Sequence, residues 1–140
     1  MKLSLLPLLA CSALAVLVLP SQEPALKPIA AQYRTGDFAV GCQAWTFNHF
    51  TAVEAITKTA AAGGKVIEFY PGQPLALLAP DVLLDHNLDQ EHIDGLKKLL
   101  AEEGVLAVNY GVVDIPNNEV EARKIFEFAK NMGFRALTTE

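Results

Sequence analysis

Residues 66–73, Val66-Ile67-Glu68-Phe69-Tyr70-Pro71-Gly72-Gln73 (VIEFYPGQ), place one carboxylate inside a short apolar run. The residues around Glu68 are β-branched or aromatic, which favours a strand, and Pro71-Gly72 ends the run as a turn. Burying a carboxylate is costly unless a partner pairs with it. Glu68 is therefore a surface residue, the partner of a Lys or Arg on a neighbouring strand, or part of a functional site.

The segments on either side of this run alternate between strand-like and helix-like patterns. Glycines end each helix-like segment, and Asn118 and Glu121 match the capping-box pattern at the start of the third. This alternation predicts an α/β fold with a parallel sheet, either doubly wound or part of a (β/α)8 barrel. The predicted strands are 38–45, 65–70, 106–113 and 135–139, and the predicted helices are 48–62, 89–103 and 118–132.

The connection between residues 71 and 88 is long and has no regular pattern. Loops of this length in compact domains are usually functional or disordered. Because this one contains several leucines and Val82, we expect it to pack as a structureless lid. His86 near its end is a candidate substrate or proton contact, and local hydrogen bonding before the next helix is the alternative.

Polar side chains stand near the C-terminal end of each predicted strand. Alternate residues of a strand share a face, and on one face each strand begins with small or apolar residues and then turns polar. The carboxyl ends of parallel strands are where α/β folds bind ligands. We therefore predict that four side chains face a common site: Gln43, Glu68, Asn109 and Glu140.

The N-terminal region differs in composition from the rest of the chain. Residues 1–22 combine a single Lys with a long uncharged apolar run, which predicts a secretory signal peptide, with a retained N-terminal anchor as the alternative. Residues 23–36 contain two prolines and no clean period, which is typical of a linker or arm, and residues 37–140 form the domain. We expect an extracytoplasmic (periplasmic or secreted) protein with no stable membrane partner beyond that anchor.

The charge balance and the missing motifs narrow the function classes. The 140 residues carry 11 Lys and Arg against 16 Asp and Glu, a net charge of −5, which argues against a nucleic acid as partner. The sequence contains no phosphate loop, dinucleotide fingerprint or serine-hydrolase elbow. Cys42 is expected to be a small core residue rather than a nucleophile. These features leave a small-molecule or cation site.

Five segments share their order and spacing with one known family: 41–47 (GCQAWTF), 66–68 with 71–73 (VIE and PGQ), 106–113 (LAVNYGVV), 122–130 (ARKIFEFAK) and 138–140 (TTE). Together they resemble the sugar phosphate isomerase/epimerase family, which has a xylose isomerase-like TIM barrel. The resemblance implies the N-terminal half of a (β/α)8 barrel, with about four parallel strands and three helices. A whole barrel needs about 250 residues, so we expect this chain to be truncated.

The resemblance also implies chemistry: an exported isomerase or epimerase that moves a proton on a carbohydrate with the help of a divalent metal ion. The family's main metal ligands lie on later strands, so none is assigned up to residue 140, and the fragment alone is expected to be inactive. Glu68 and Glu140 are the main catalytic candidates. The candidate substrate-binding residues are Gln43, Trp45, Glu68, His86, Asn109 and Glu140.

Two other interpretations remain open. A non-catalytic sugar-binding relative would use the same strand ends without metal chemistry. A metal phosphodiesterase of the endonuclease IV type shares the barrel, but it would need a metal cluster with histidines at the second and third strand ends, where this chain has none. In both sugar interpretations the partner is a small carbohydrate and not a nucleic acid.

Overall fold

The structure, a computed structural model, describes residues 26–140. The predicted signal peptide and the first residues of the predicted linker lie outside the described residues. Residues 26–40 contain one turn of 3-10 helix, Ala31–Tyr33, and a single antiparallel bridge between Thr35 and Phe38. Regular α and β elements begin after this arm.

The predicted α/β class, with four parallel strands and three helices, is confirmed. The strands of the parallel sheet lie in the order Gly41–Gln43, Val66–Phe69, Leu106–Tyr110 and Ala136–Leu137, so neighbours in this sheet follow one another along the chain, as in a (β/α)8 barrel. A doubly wound sheet would reverse its order, and the described strands form an open sheet without reversal or closure. The elements are β1 (Gly41–Gln43), α1 (Ala52–Ala61), β2 (Val66–Phe69), β3 (Gln73–Ala76), β4 (Ala79–Leu84), α2 (Gln90–Glu103), β5 (Leu106–Tyr110), α3 (Glu119–Met132) and β6 (Ala136–Leu137).

Side-chain caps decide where the three helices begin. Thr51 and Glu54 form a capping box, so α1 begins at Ala52 and not at the predicted residue 48. Asp89 accepts a hydrogen bond from the His92 backbone N–H at the start of α2. Asn118 accepts two at the start of α3, from the backbone N–H groups of Val120 and Glu121. The predicted helix limits at residues 103 and 132 are confirmed, since Gly104 and Gly133 end α2 and α3 in the left-handed conformation.

The prediction of a structureless connection over residues 71–88 is wrong, because β3 and β4 form an antiparallel hairpin there. The buried Gln73 anchors it by donating hydrogen bonds from Nε2 to the carbonyl oxygens of Phe50 (3.0 Å) and Phe47 (3.4 Å). Pro74 and Pro80 concealed the strands in the sequence, since proline is rare in sheets but tolerated on solvent-facing edges.

The parallel strands are shorter than predicted at their C-terminal ends. After β1 the chain turns into a short 3-10 helix, Ala44–Phe47, and after β5 it leaves the sheet at Gly111. The core lies between the sheet and the helices, with the side chains of Ile67, Phe69 and Tyr110 fully buried. Among the described helices, none is long and apolar enough to cross a membrane.

A close approach between β1 and β2 requires glycine at position 41, because a Cβ there would overlap the carbonyl and side chain of Val66. Gly41→Ala is expected to lower the free energy of unfolding by about 1–3 kcal/mol, the usual cost of overpacking. Gly95 in α2 faces open space, so Gly95→Ala is the matched control and should raise it by roughly 0.5–1 kcal/mol. Urea denaturation measures both changes, and equal stability of the two variants would contradict the close contact.

We expect Tyr110 of β5 to make the folded protein less stable at alkaline pH. Its ring packs against Phe128 and Phe134, and its Oη has no hydrogen-bond partner among residues 26–140. Burial, with a smaller contribution from the Asp85 charge, raises the pKa of Tyr110. The unfolded chain ionises its tyrosines at about pH 10, whereas the folded protein keeps this proton, so the free energy of unfolding should fall as pH rises above about 10.

Tyr110→Phe should flatten that alkaline loss and change stability at pH 7 by less than about 1 kcal/mol, since no hydrogen bond is lost. Urea denaturation between pH 8 and 11 measures the slope, with Tyr33→Phe as the control that retains the loss. If the free energy of unfolding of Tyr110→Phe falls with pH as steeply as that of the wild type, Tyr110 is not the cause of the alkaline loss.

Candidate functional site

Three of the four predicted strand-end residues lie side by side across β1, β2 and β5. Gln43 stands opposite Glu68, and Glu68 stands opposite Asn109. A register irregularity produces the second pairing, because Ile67 pairs with Ala107 and a regular ladder would then place Val108 opposite Glu68. Such irregularities are common next to functional sites, where they redirect a side chain.

The Glu68 carboxylate connects these strands through one oxygen. Its Oε1 accepts hydrogen bonds from Gln43 Nε2 (3.2 Å) and from the Thr138 hydroxyl (3.4 Å). Thr138 Oγ1 in turn accepts from Asn109 Nδ2 at 2.8 Å. Gln43 Nε2 also donates to the carbonyl oxygen of Gly111 at 3.2 Å. We call Gln43, Glu68, Asn109 and Thr138 the strand-end cluster.

Glu68 is partly buried and has neither a Lys nor an Arg partner among the described residues. The ion-pair alternative for this residue is therefore not what the structure shows. Thr138 was not singled out from the sequence, although it shares the predicted face of the fourth strand. Asn109 aligns with Ala136, which brings Thr138 to the level of the cluster.

The structure does not bring Glu140 or His86 into the strand-end cluster. Glu140 is exposed, and its carbonyl oxygen accepts a hydrogen bond from the Thr139 hydroxyl at 3.5 Å. His86 instead lines a separate cavity of about 200 Å³ between the end of the hairpin, α2 and α3. Its Nδ1 is buried there without a hydrogen-bond partner among the described residues.

An aromatic pair stands next to the cluster. The rings of Trp45 and Tyr70 meet edge to face with centroids 4.9 Å apart, and Trp45 is 58% exposed. Tyr70 follows β2 directly, a position that could have been noted from the sequence. Burial raises the pKa of Tyr70, so its hydroxyl is a neutral donor at physiological pH.

A cleft of about 360 Å³ joins the aromatic pair to the cluster. It is lined by Gln43, Trp45, Tyr70, Pro71, Gly111 and Val112. A larger groove, of about 560 Å³, lies beside β6, but its lining contains no predicted site residue. We take the smaller cleft as the candidate site, because hydrogen-bonding and aromatic groups converge on it.

The side chains of the described residues do not by themselves form a metal centre. Within residues 26–140, no group of three or more His, Cys, Asp or Glu side chains could hold an ion. Glu68 is the one carboxylate of the strand-end cluster, and a divalent cation usually needs more anionic ligands. Cys42 makes its contact away from this cluster, with its Sγ 3.3 Å from Thr59 Oγ1 of α1.

The bond between Gln43 and Glu68 should appear as an energetic coupling. A double-mutant cycle of Gln43→Ala and Glu68→Ala is expected to give a coupling free energy of about 1 kcal/mol in urea denaturation, the usual net value of a hydrogen bond. The cycle of Gln43→Ala with Glu102→Ala, an exposed position on α2, should be additive within about 0.5 kcal/mol. Additivity in the first cycle would show that the hydrogen bond contributes nothing.

Comparison with known proteins identifies a similar structure. The crystal structure of an uncharacterised protein from Parabacteroides distasonis ATCC 8503, determined at 2.32 Å resolution, matches with a TM-score of 0.64 and 27% sequence identity. The match covers 71% of this chain and 42% of that one, so this chain spans less than half the length of its structural relative. No family model matches the chain, and no curated protein does. The structural match supports an α/β fold that is shared with a longer protein.

Proposed function

We propose that this chain forms the substrate-binding side of an exported carbohydrate-binding protein, and that the intact protein is a sugar isomerase or epimerase. The observation that carries the proposal is the strand-end cluster beside an exposed aromatic ring at the C-terminal end of a parallel sheet. Sites of α/β folds lie at this end. The resemblance of the sequence to sugar phosphate isomerases and epimerases supports the same assignment.

The composition of the cleft suits a sugar. A sugar ring presents an apolar C–H face and a rim of hydroxyl groups. The exposed Trp45 ring can pack against the apolar C–H face. The amide of Gln43 and the hydroxyl of Tyr70 can form hydrogen bonds with the hydroxyl groups. The cleft volume of about 360 Å³ lies within the range of small-ligand pockets.

Glu68 is the residue proposed to handle a proton. Its Oε1 is held by two donors, whereas its Oε2 has no hydrogen-bond partner among the described residues and is free to act as a base. Isomerisation or epimerisation by proton transfer needs a base that removes a proton from carbon. In family chemistry a divalent metal ion would polarise the neighbouring oxygens. The described residues do not by themselves form a metal centre, so the roles proposed for them are sugar binding and proton transfer.

A non-catalytic sugar-binding protein is the second candidate. The observation that favours it is that Glu68 is the one ionisable side chain in a cluster otherwise made of neutral amides and a hydroxyl. The two candidates share the binding step and differ in exchange of a sugar C–H proton with deuterated solvent. A protein that binds sugars without this exchange would support the binding candidate.

Sugar binding can be read from intrinsic fluorescence, because Trp45 is the only tryptophan of the chain. We expect a panel of pentoses and hexoses to include ligands that change the Trp45 emission, since a bound ring would cover an exposed indole. Glu68→Ala and Gln43→Ala should each weaken binding about tenfold, the effect of losing a hydrogen bond to a charged group or leaving one unpaired.

Glu102→Gln is the matched carboxylate control and should leave the affinity unchanged, since Glu102 is exposed on α2. Ligand-observed NMR gives an independent measure of binding for every variant. A panel in which no sugar binds at 100 mM by either method would refute the proposed function.

A further inference from the structure

We propose that the ligand of the strand-end cleft is an uncharged, hydroxyl-rich sugar and not a sugar phosphate. This inference rests on the proposed function and specifies its substrate class. It follows from the direction of the hydrogen bonds within the strand-end cluster, which leaves mainly acceptor atoms for a ligand.

The orientation of the Gln43 amide is determined by its two neighbours. Both Glu68 Oε1 and the Gly111 carbonyl oxygen are acceptors, and both lie 3.2 Å from the same atom of Gln43. Only the NH₂ group can face two acceptors, and it uses both of its protons there. Gln43 therefore has Oε1, an acceptor, left for a ligand.

The same reasoning extends from Glu68 through Thr138 to Asn109. An ionised carboxylate only accepts, so the Thr138 hydroxyl must spend its single proton on Glu68 Oε1. Thr138 Oγ1 can then only accept from Asn109, which turns the Asn109 NH₂ group toward it at 2.8 Å. Asn109 Oδ1 remains as a buried acceptor without a partner among the described residues. Such an atom is costly to leave unpaired, and a ligand hydroxyl would satisfy it.

Gln43 lines the cleft, and Glu68 and Asn109 belong to the strand-end cluster that adjoins it. A ligand that reaches from the cleft into the cluster would meet lone pairs and a negative charge. Gln43 Oε1, Glu68 Oε2 and Asn109 Oδ1 are acceptors, and hydroxyl groups are the donors that match them. The donors that remain are neutral, such as the second N–H of Asn109 and the Tyr70 hydroxyl. No Lys, Arg or His is among the residues that line the cleft. A phosphate group would bring two negative charges toward Glu68 without a cation to balance them.

The helix N-termini, which bind phosphate in many α/β proteins, are already occupied by side chains of this chain. All three helices follow parallel-sheet strands or the hairpin, and their first backbone N–H groups bond to Thr51, Asp89 and Asn118. Hydrogen bonds from Thr51, chiefly from its backbone N–H, lower the pKa of Glu54, and the His92 backbone N–H does the same for Asp89. At α1 and α2 the anion that a helix N-terminus favours is therefore supplied by the chain itself.

Positive charge lies at the opposite end of the sheet. Lys65 immediately precedes β2, and Arg135 immediately precedes β6, so both stand where parallel strands begin. Strand ends and strand starts are on opposite sides of the sheet. These two basic residues of the described part therefore lie away from the cleft, where they cannot balance the charge of a phosphate.

The test compares free sugars with their phosphates on the full chain. Trp45 fluorescence and ligand-observed NMR are recorded for D-ribose and D-ribose 5-phosphate, and for D-fructose and D-fructose 6-phosphate. We expect each sugar that binds to do so at least tenfold more tightly than its phosphate at low ionic strength, with a smaller difference at high salt. Equal or tighter binding of a phosphate would overturn the inference and leave sugar binding in place. Absence of binding by all four would refute the proposed function and the inference with it.

Two variants test the cause of the selectivity. Glu68→Gln removes the negative charge and Thr138→Val removes the hydroxyl that orients Asn109, so each should reduce the preference for the free sugar at least threefold. Thr139→Val is the matched control, because the Thr139 hydroxyl bonds to the Glu140 carbonyl oxygen and to no member of the strand-end cluster, and it should keep the full preference. If both Glu68→Gln and Thr138→Val keep the full preference for the free sugar, the strand-end cluster is not the cause of the selectivity.

Discussion

The Glu68 carboxylate is the interaction on which the candidate site depends. One of its oxygens accepts from Gln43 on β1 and from Thr138 just after β6, the two outer strands of the parallel sheet. Parallel pairing brings these side chains near each other, but proximity alone leaves amides and hydroxyls free to turn. Because a carboxylate accepts and does not donate, it decides which atom of each neighbour faces inward. The atoms of Gln43 and Asn109 that remain without a partner in the cluster follow from that choice.

The rest of the fold supports this arrangement at one end of the sheet. The close contact of Gly41 with Val66 keeps β1 beside β2, and the register irregularity after Ile67 brings Asn109 level with Glu68. The hairpin of β3 and β4 is tied by Gln73 to the chain just before α1. Glu68 thus lies on strands that packing holds in place, which is how binding sites keep a defined geometry.

The sequence predicted the α/β fold and the placing of Gln43 and Asn109 beside Glu68, because alternation and strand parity are local properties that parallel pairing preserves. It did not predict that Thr138 rather than Glu140 joins the cluster, since that depends on the pairing of Asn109 with Ala136. The hairpin was missed because prolines obscure its strands. The contact of Trp45 with Tyr70 depends on the 3-10 turn after β1, which no periodicity indicates.

The most direct test of the central claim is the NMR spectrum of the side-chain amide groups in the wild-type protein and in Glu68→Ala. If Glu68 orients the whole cluster, the amide signals of both Gln43 and Asn109 should shift, although Asn109 bonds to Thr138 and not to Glu68. The amide of Gln90, which bonds to Asp94 on α2, should not change. A spectrum in which the Asn109 signal is unaffected would contradict the account.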